Sequence, residues 1–163
     1  KAMPWSEPTG GTSSSRLRPN DAGRAVAVAL RYTRTAVRSV TEVRAYLTRR
    51  GIPSALVEAA IHHCQSHGAL DDHAAAKLWA EQWARQGFAW AAIRAKLAQK
   101  GFDDPTIQRI ASSGLAAADE ERARAVAAAA RTSATRLARR LASRGFDADV
   151  IDRILTETFG SSV

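Results

Sequence analysis

The chain of 163 residues carries one cysteine, Cys64, so no internal disulfide can form. A single free thiol suits a reducing compartment, and the expected location is cytoplasmic. No apolar run approaches the length of a membrane span, and the N-terminus has no signal-peptide core. Val, Ile, Tyr and Phe are too few and too scattered to build sheets, while alanine is abundant and favours close-packed helices. Also missing are a phosphate-cradling glycine loop, a convincing nucleophile–base pair, and any carboxylate pair that helix capping does not explain. No enzyme and no cofactor is expected.

What is present is one phrase written three times. Arg50-Gly51-Ile52, Lys100-Gly101-Phe102 and Arg144-Gly145-Phe146 each follow a leucine four residues before the glycine: Leu47, Leu97 and Leu141. Eight before it stand Val43, Ile93 and Leu137, and six after it Val57, Ile107 and Ile151. A leucine, a basic residue in the last turn and then glycine is how a helix stops, the glycine taking the left-handed conformation. New helices can begin at Pro53-Ser54, Asp104-Pro105 and Asp147. The glycines lie 50 and 44 residues apart, a spacing that reads as a helical repeat array.

The helix signals along the chain predict an all-α protein of three tandem three-helix repeats, nine helices in a curved, elongated array. Residues 1–20, rich in Gly, Ser, Thr and Pro, read as a flexible tail in which Trp5 is incidental. The repeats are placed at 21–68, 69–114 and 115–163. The first helix puts Ala22, Val26, Ala29, Leu30 and Thr33 between about 140° and 240° from Arg24 on a helical wheel. Ser39-Val40-Thr41-Glu42 is a capping box. Leu56, Val57, Ala60, Ile61 and Cys64 form the buried stripe of the third helix. In the second repeat Asp71 and Asp72 cap a helix bearing Ala75, Leu78, Trp79 and Trp83, and Leu70 is placed for a hydrophobic staple.

The motifs in this order, Gly68-Ala69-Leu70-Asp71-Asp72, then Gly87, Ile93, Leu97, Lys100-Gly101-Phe102, and Leu141, Arg144-Gly145-Phe146, resemble the RecX family of bacterial regulators of the RecA recombinase. The resemblance spans roughly residues 21–160. It implies tandem three-helix repeats that bind the RecA filament on single-stranded DNA and restrain its recombinase and ATPase activity. It brings no catalytic motif.

Sharper readings compete with plain ones at several positions. His62, His63, Cys64 and His67 invite a zinc site, since His63 and His67 share a helical face. Cys64 falls on the apolar stripe and no second ligand pair exists, so a buried thiol beside helix-end histidines is the better account and no metal is expected. Trp79, Trp83 and Trp90 could stack on unpaired bases, but packing between helices is preferred. Arg50, Lys100 and Arg144 are read as compensating helix C-termini.

The net charge of +8 implies an anionic partner, and its excess is greatest within 21–68. Arg24, Arg31 and Arg34 form a stripe on one side of the first helix, at about 0°, −20° and −80°. With Arg44 and Arg94, equivalent residues seven before their glycines, they are the candidate contacts to the RecA filament or DNA. Single- or double-stranded DNA is a further partner by charge attraction, and a monomer is expected. Two rival functions stay open: a helix-turn-helix-like DNA-binding module, and an α-solenoid adaptor for another protein.

Overall fold

The computed structural model describes residues 19–160; the tail reading for residues 1–18, including Trp5, and the last three residues lie outside it. Within the described residues are nine α-helices and no strand. In chain order they are α1 (Pro19–Thr33), α2 (Val40–Arg49), α3 (Ser54–Ser66), α4 (Asp72–Arg85), α5 (Trp90–Gln99), α6 (Asp104–Ile110), α7 (Asp119–Ala129), α8 (Ala134–Ser143) and α9 (Ala148–Phe159). A π-turn over Ala111–Leu115 follows α6 and contains Gly114 at φ 95°. The helices pack mainly within three triplets, α1–α3, α4–α6 and α7–α9, each with its own apolar cluster.

The repeated phrase is a repeated structure. Gly51, Gly101 and Gly145 have φ of 75°, 84° and 85°. In each turn the residue after glycine donates its N–H to the carbonyl of the phrase leucine: Ile52 to Leu47 (3.3 Å), Phe102 to Leu97 (3.2 Å) and Phe146 to Leu141 (3.3 Å). Each glycine N–H reaches back to Thr48, Ala98 or Ala142, which completes a Schellman motif. All three leucines are fully buried, as are Val43, Ile93 and Leu137 one turn earlier. The third copy departs at Ile151, which is only half-buried where Val57 and Ile107 are enclosed.

Helix starts follow local chemistry. The capping box closes as read: Glu42 N–H donates to Ser39 Oγ (3.1 Å), and Ser39 N–H to Glu42 Oε2 (2.9 Å). Asp71 and Asp147 cap α4 and α9. The cap of α6 is Asp103, one residue earlier than the sequence suggests, with Pro105 accommodated in the first turn, where a missing N–H costs nothing.

Two faces are turned from where periodicity placed them. On α1 the buried line runs through Ala25 and Ala29, rotated by about 70° toward the arginine side, and Ala22 is exposed. Small residues there let α1 lie close on α3, and the rotation shelters Tyr32, which stacks on Tyr46 of α2. On α4 the line runs through Ala75, as expected, with Ala76 and Ala80, and is flanked by Trp79 and Trp83. Leu78, expected inward, is 53% exposed, because it lies about 135° from the centre of that line.

The triplets are joined by one contact made twice. At the first joint the N-terminus of α2 meets the glycine turn of the next triplet: Ser39 Oγ donates to the Lys100 carbonyl (2.7 Å) and Thr41 Oγ1 to the Gly101 carbonyl (2.8 Å). Asp72, at the start of α4, accepts the free Val40 N–H (2.7 Å). At the second joint Ala89 N–H donates to the Arg144 carbonyl (2.9 Å), and Asp119, at the start of α7, accepts the Trp90 N–H (2.8 Å). A helix N-terminus has donors without intrahelical partners. At both joints the next triplet's aspartate takes one such N–H, and its turn carbonyls take the Ser39 and Thr41 hydroxyls at the first joint and the Ala89 N–H at the second. Ser39 and Ala89 are accordingly buried, whereas Ser133, the equivalent residue of the last triplet, is exposed.

Two outcomes follow for stability. A Cβ on Gly101 would lie 2.6 Å from Thr41 Cβ, whereas one on Gly51 would meet nothing within 4 Å. Both substitutions to Ala pay for positive φ, on the order of 1 kcal/mol. Gly101→Ala must also push Thr41 off its carbonyl, so urea titration should show it the more destabilising of the two; equal losses would mean the joint is slack. Asp72 is half-buried at the first joint, and burial raises its carboxyl above the ordinary range, against the opposing Val40 hydrogen bond and with Asp103 and Asp71 adding to the rise. The folded state then binds the proton more tightly than the unfolded one, so stability declines as pH rises from the ordinary carboxylate range through the raised value. Asp72→Asn, which keeps an acceptor for Val40, should flatten that decline in melts taken across this window.

A candidate interaction face of stacked aromatic and basic side chains

Arg24 and Arg31 are exposed on α1, and Arg34, also exposed, lies in the turn just after it. They do not meet at one point: Arg24 borders a hollow with Arg50, Gly51 and Ile52, and Arg34 borders a different one with Val37, Arg38 and Leu78. Arg44 is engaged by Glu58 of α3 through two bonds, Nε to Oε1 at 2.8 Å and Nη2 to Oε2 at 3.1 Å. That fork raises the arginine and lowers the glutamate from their ordinary pKa values. Arg94 stands at the same place on α5, exposed, with Gln108 in the position of Glu58, and makes no ion pair among the described residues. The two equivalent arginines therefore differ: one guanidinium is largely neutralised and the other is available.

The basic residues before the three glycines do more than compensate helix ends. Arg50 lies over the Tyr46 ring (4.8 Å to its centroid), Lys100 over Trp79 (4.1 Å) and Arg144 over Phe88 (5.6 Å). Around them a ladder continues. Tyr32 and Tyr46 stack at 3.9 Å and 5° between planes, with Arg38 on the far face of Tyr32 at 4.4 Å. Trp79 and Trp83 stack at 5.3 Å, and the Lys96 ammonium sits between Trp83 (5.6 Å) and Phe88 (4.7 Å). Lys100 also bonds Glu42 across the first joint (3.3 Å). These aromatics are half-buried: they pack on the first and second apolar clusters, as preferred from the sequence, while cations lie against their outer surfaces.

Charge is sorted by position in the repeat, which the sequence reading missed. The middle helices α2, α5 and α8 with their C-terminal cap residues carry Arg44, Arg49, Arg50, Arg94, Lys96, Lys100, Arg136, Arg139, Arg140 and Arg144, against the single acid Glu42. On α8, Leu137 and Leu141 face the core and Arg136, Arg139 and Arg140 face solvent. The acids lie on the outer helices, as in the Arg124–Glu157 and Arg153–Glu120 pairs that tie α7 to α9. The signal was present as the absence of any Asp or Glu from α5 and α8.

The histidine cluster is accounted for by the end of α3. His63 and His67 stack at 4.0 Å, His67 Nδ1 lies 2.8 Å from the His63 carbonyl, and Cys64 is fully buried, which pushes its thiol pKa up. Among the described residues no three His, Cys, Asp or Glu side chains come together as a metal-holding group. Likewise no described helix is long and apolar enough to cross a membrane.

Fold and surface together define a helical-repeat protein, with its net positive charge concentrated on the central helix of each unit. No family model matches the chain. It is 33% identical over 162 residues to the regulatory protein RecX of Thermobifida fusca (strain YX), covering 92% of this chain and 85% of that one. A shorter stretch of 51 residues is 43% identical to the regulatory protein RecX of Pectobacterium atrosepticum, covering 31% of this chain and 32% of that protein. The fold matches the crystal structure of RecX from Lactobacillus salivarius with a TM-score of 0.72 at 19% identity, over 86% of this chain and 97% of that one. A second RecX crystal structure matches with a TM-score of 0.67 at 20% identity, over 82% and 71%. The chain belongs to the RecX family of regulatory proteins.

Proposed function

We propose that this protein restrains the RecA recombinase by lying along its filament on single-stranded DNA, acting as a cytoplasmic monomer without chemistry of its own. The reading is supported by family membership and by the joint, which sets equivalent surfaces of successive triplets side by side. A filament is a row of identical subunits. A row of equivalent basic middle helices can engage several of them, and weak contacts at fixed spacing combine through effective concentration. Arg24 and Arg31 on α1 and Arg34 just after it, with Arg94 on α5, are the proposed contacts to acidic strips of the filament or to its DNA; Arg44 contributes less while Glu58 holds it.

Added below one copy per RecA, the protein should slow DNA-dependent ATP hydrolysis and strand exchange; no effect at equimolar protein would overturn the reading. Reversing Arg24, Arg31 and Arg34 together to Glu should leave helicity and melting nearly unchanged, since none makes an ion pair among the described residues. It should weaken filament binding and reduce its salt dependence. A triple variant that restrains RecA as well as the parent would move the contact surface off α1.

A further inference from the structure

We propose that the aromatic–basic ladder is a binding surface for single-stranded DNA in its own right, which takes unpaired bases by stacking and phosphates by charge, without any recombinase present. Its rungs lie on both sides of the first joint, with a hollow between the two groups. Arg38, Tyr32, Tyr46 and Arg50 form one column. Tyr32 and Lys100 then border a common hollow of about 320 Å³, which Arg49 also lines. Lys100 leads onto Trp79, Trp83, Lys96 and Phe88, and Arg144 closes the row.

The composition of the row decides what it fits. A protein partner with an acidic surface would use the cations alone and has no need of five half-exposed rings beneath them. A lipid headgroup offers no ring. An unpaired nucleic acid strand offers a π-face and an anion at every step, and surfaces that bind it alternate aromatic and basic groups. Duplex DNA hides its base faces, so the rings disfavour it. The column of two tyrosines ends in guanidiniums, which are planar and present an outer face on which a base can stack. At the tryptophans, a cation–π contact near solvent is weaker than a base stacked on a ring, so a base can displace Lys96 or Lys100 and free the ammonium for the neighbouring phosphate.

Two further features agree. Trp79 Nε1 and Arg38 Nε are buried donors with no acceptor among the described residues, and both belong to the row. Among the described residues Glu42 pairs with a rung cation, Lys100. The choice of DNA over RNA rests on the proposed action at the RecA filament; the stacking surface does not.

The test uses the whole chain with no recombinase, so its outcome and that of the RecA assay are separable. A labelled thymidine homopolymer should bind and quench tryptophan emission, at least as tightly as the uridine homopolymer and more tightly than a blunt duplex. Heparin, an anion without bases, should not reproduce the quench. Trp83→Leu and Tyr46→Leu, where helicity is retained, should each weaken the homopolymer by at least about fivefold, the loss of one stacked base. Arg49→Glu, at an exposed residue without an ion pair among the described residues, should lower the salt slope by about 0.7 or more while leaving the melt unchanged. Equal quenching by heparin, tighter binding of duplex, or parental affinity in the folded ring variants would overturn the proposal.

Discussion

A helix N-terminus cannot satisfy its own first donors, and in this molecule the next triplet does it. The starts of α2 and α5 each give a backbone N–H to an aspartate at the head of the next triplet's first helix, and donate to the carbonyls of that triplet's glycine turn through the Ser39 and Thr41 hydroxyls at α2 and the Ala89 N–H at α5. The approach is close enough that a Cβ on Gly101 or Gly145 would lie within 3 Å of the helix it faces. Glycine is thus needed twice at one atom: it provides the left-handed angle that ends the helix, and it leaves the space into which the preceding triplet fits. Three small clusters, each modest because alanine buries little surface, become one object through this contact.

The same contact arranges the surface. The starts of α2 and α5 are fixed by the next triplet, and the turn after α8 is held against the start of α5; the basic residue that ends each middle helix lies on an aromatic ring. Lys100 links both roles: its carbonyl accepts Ser39, its ammonium bonds Glu42, and the same ammonium covers Trp79. Structural joint and candidate interface therefore share side chains. Binding at the ladder is expected to be felt at the joint, and the reverse.

Much of this was written in the order of residues. Leucine, basic residue and glycine at a fixed interval declared the helix ends, the buried leucines and the positive φ angles, since each follows from local sterics and the period of a helix. The rotation of α1 and the outward turn of Leu78 were not legible, because alanine reads as weakly apolar wherever it stands and only a neighbouring helix decides which alanines are covered. The candidate face was half legible. Arg24, Arg31 and Arg34 could be placed on a wheel, but the neutralisation of Arg44 by Glu58 and the seating of Arg50, Lys100 and Arg144 on rings depend on residues from other helices. The acid-free α5 and α8 could have been counted and point to the middle helices as the basic ones.

The central claim is that the glycine-turn joint makes one cooperative array of three small units. Native-state hydrogen exchange on the parent and on Gly145→Val tests it most directly, since a side chain there must displace Ala92 at the second joint. In the parent, the buried amides of Leu97 and Leu141 should exchange with similar free energies of opening; in the variant, Leu141 should open at markedly lower cost while Leu97 keeps most of its protection. Parental protection at both leucines in the variant, or independent opening of the triplets already in the parent, would contradict the account.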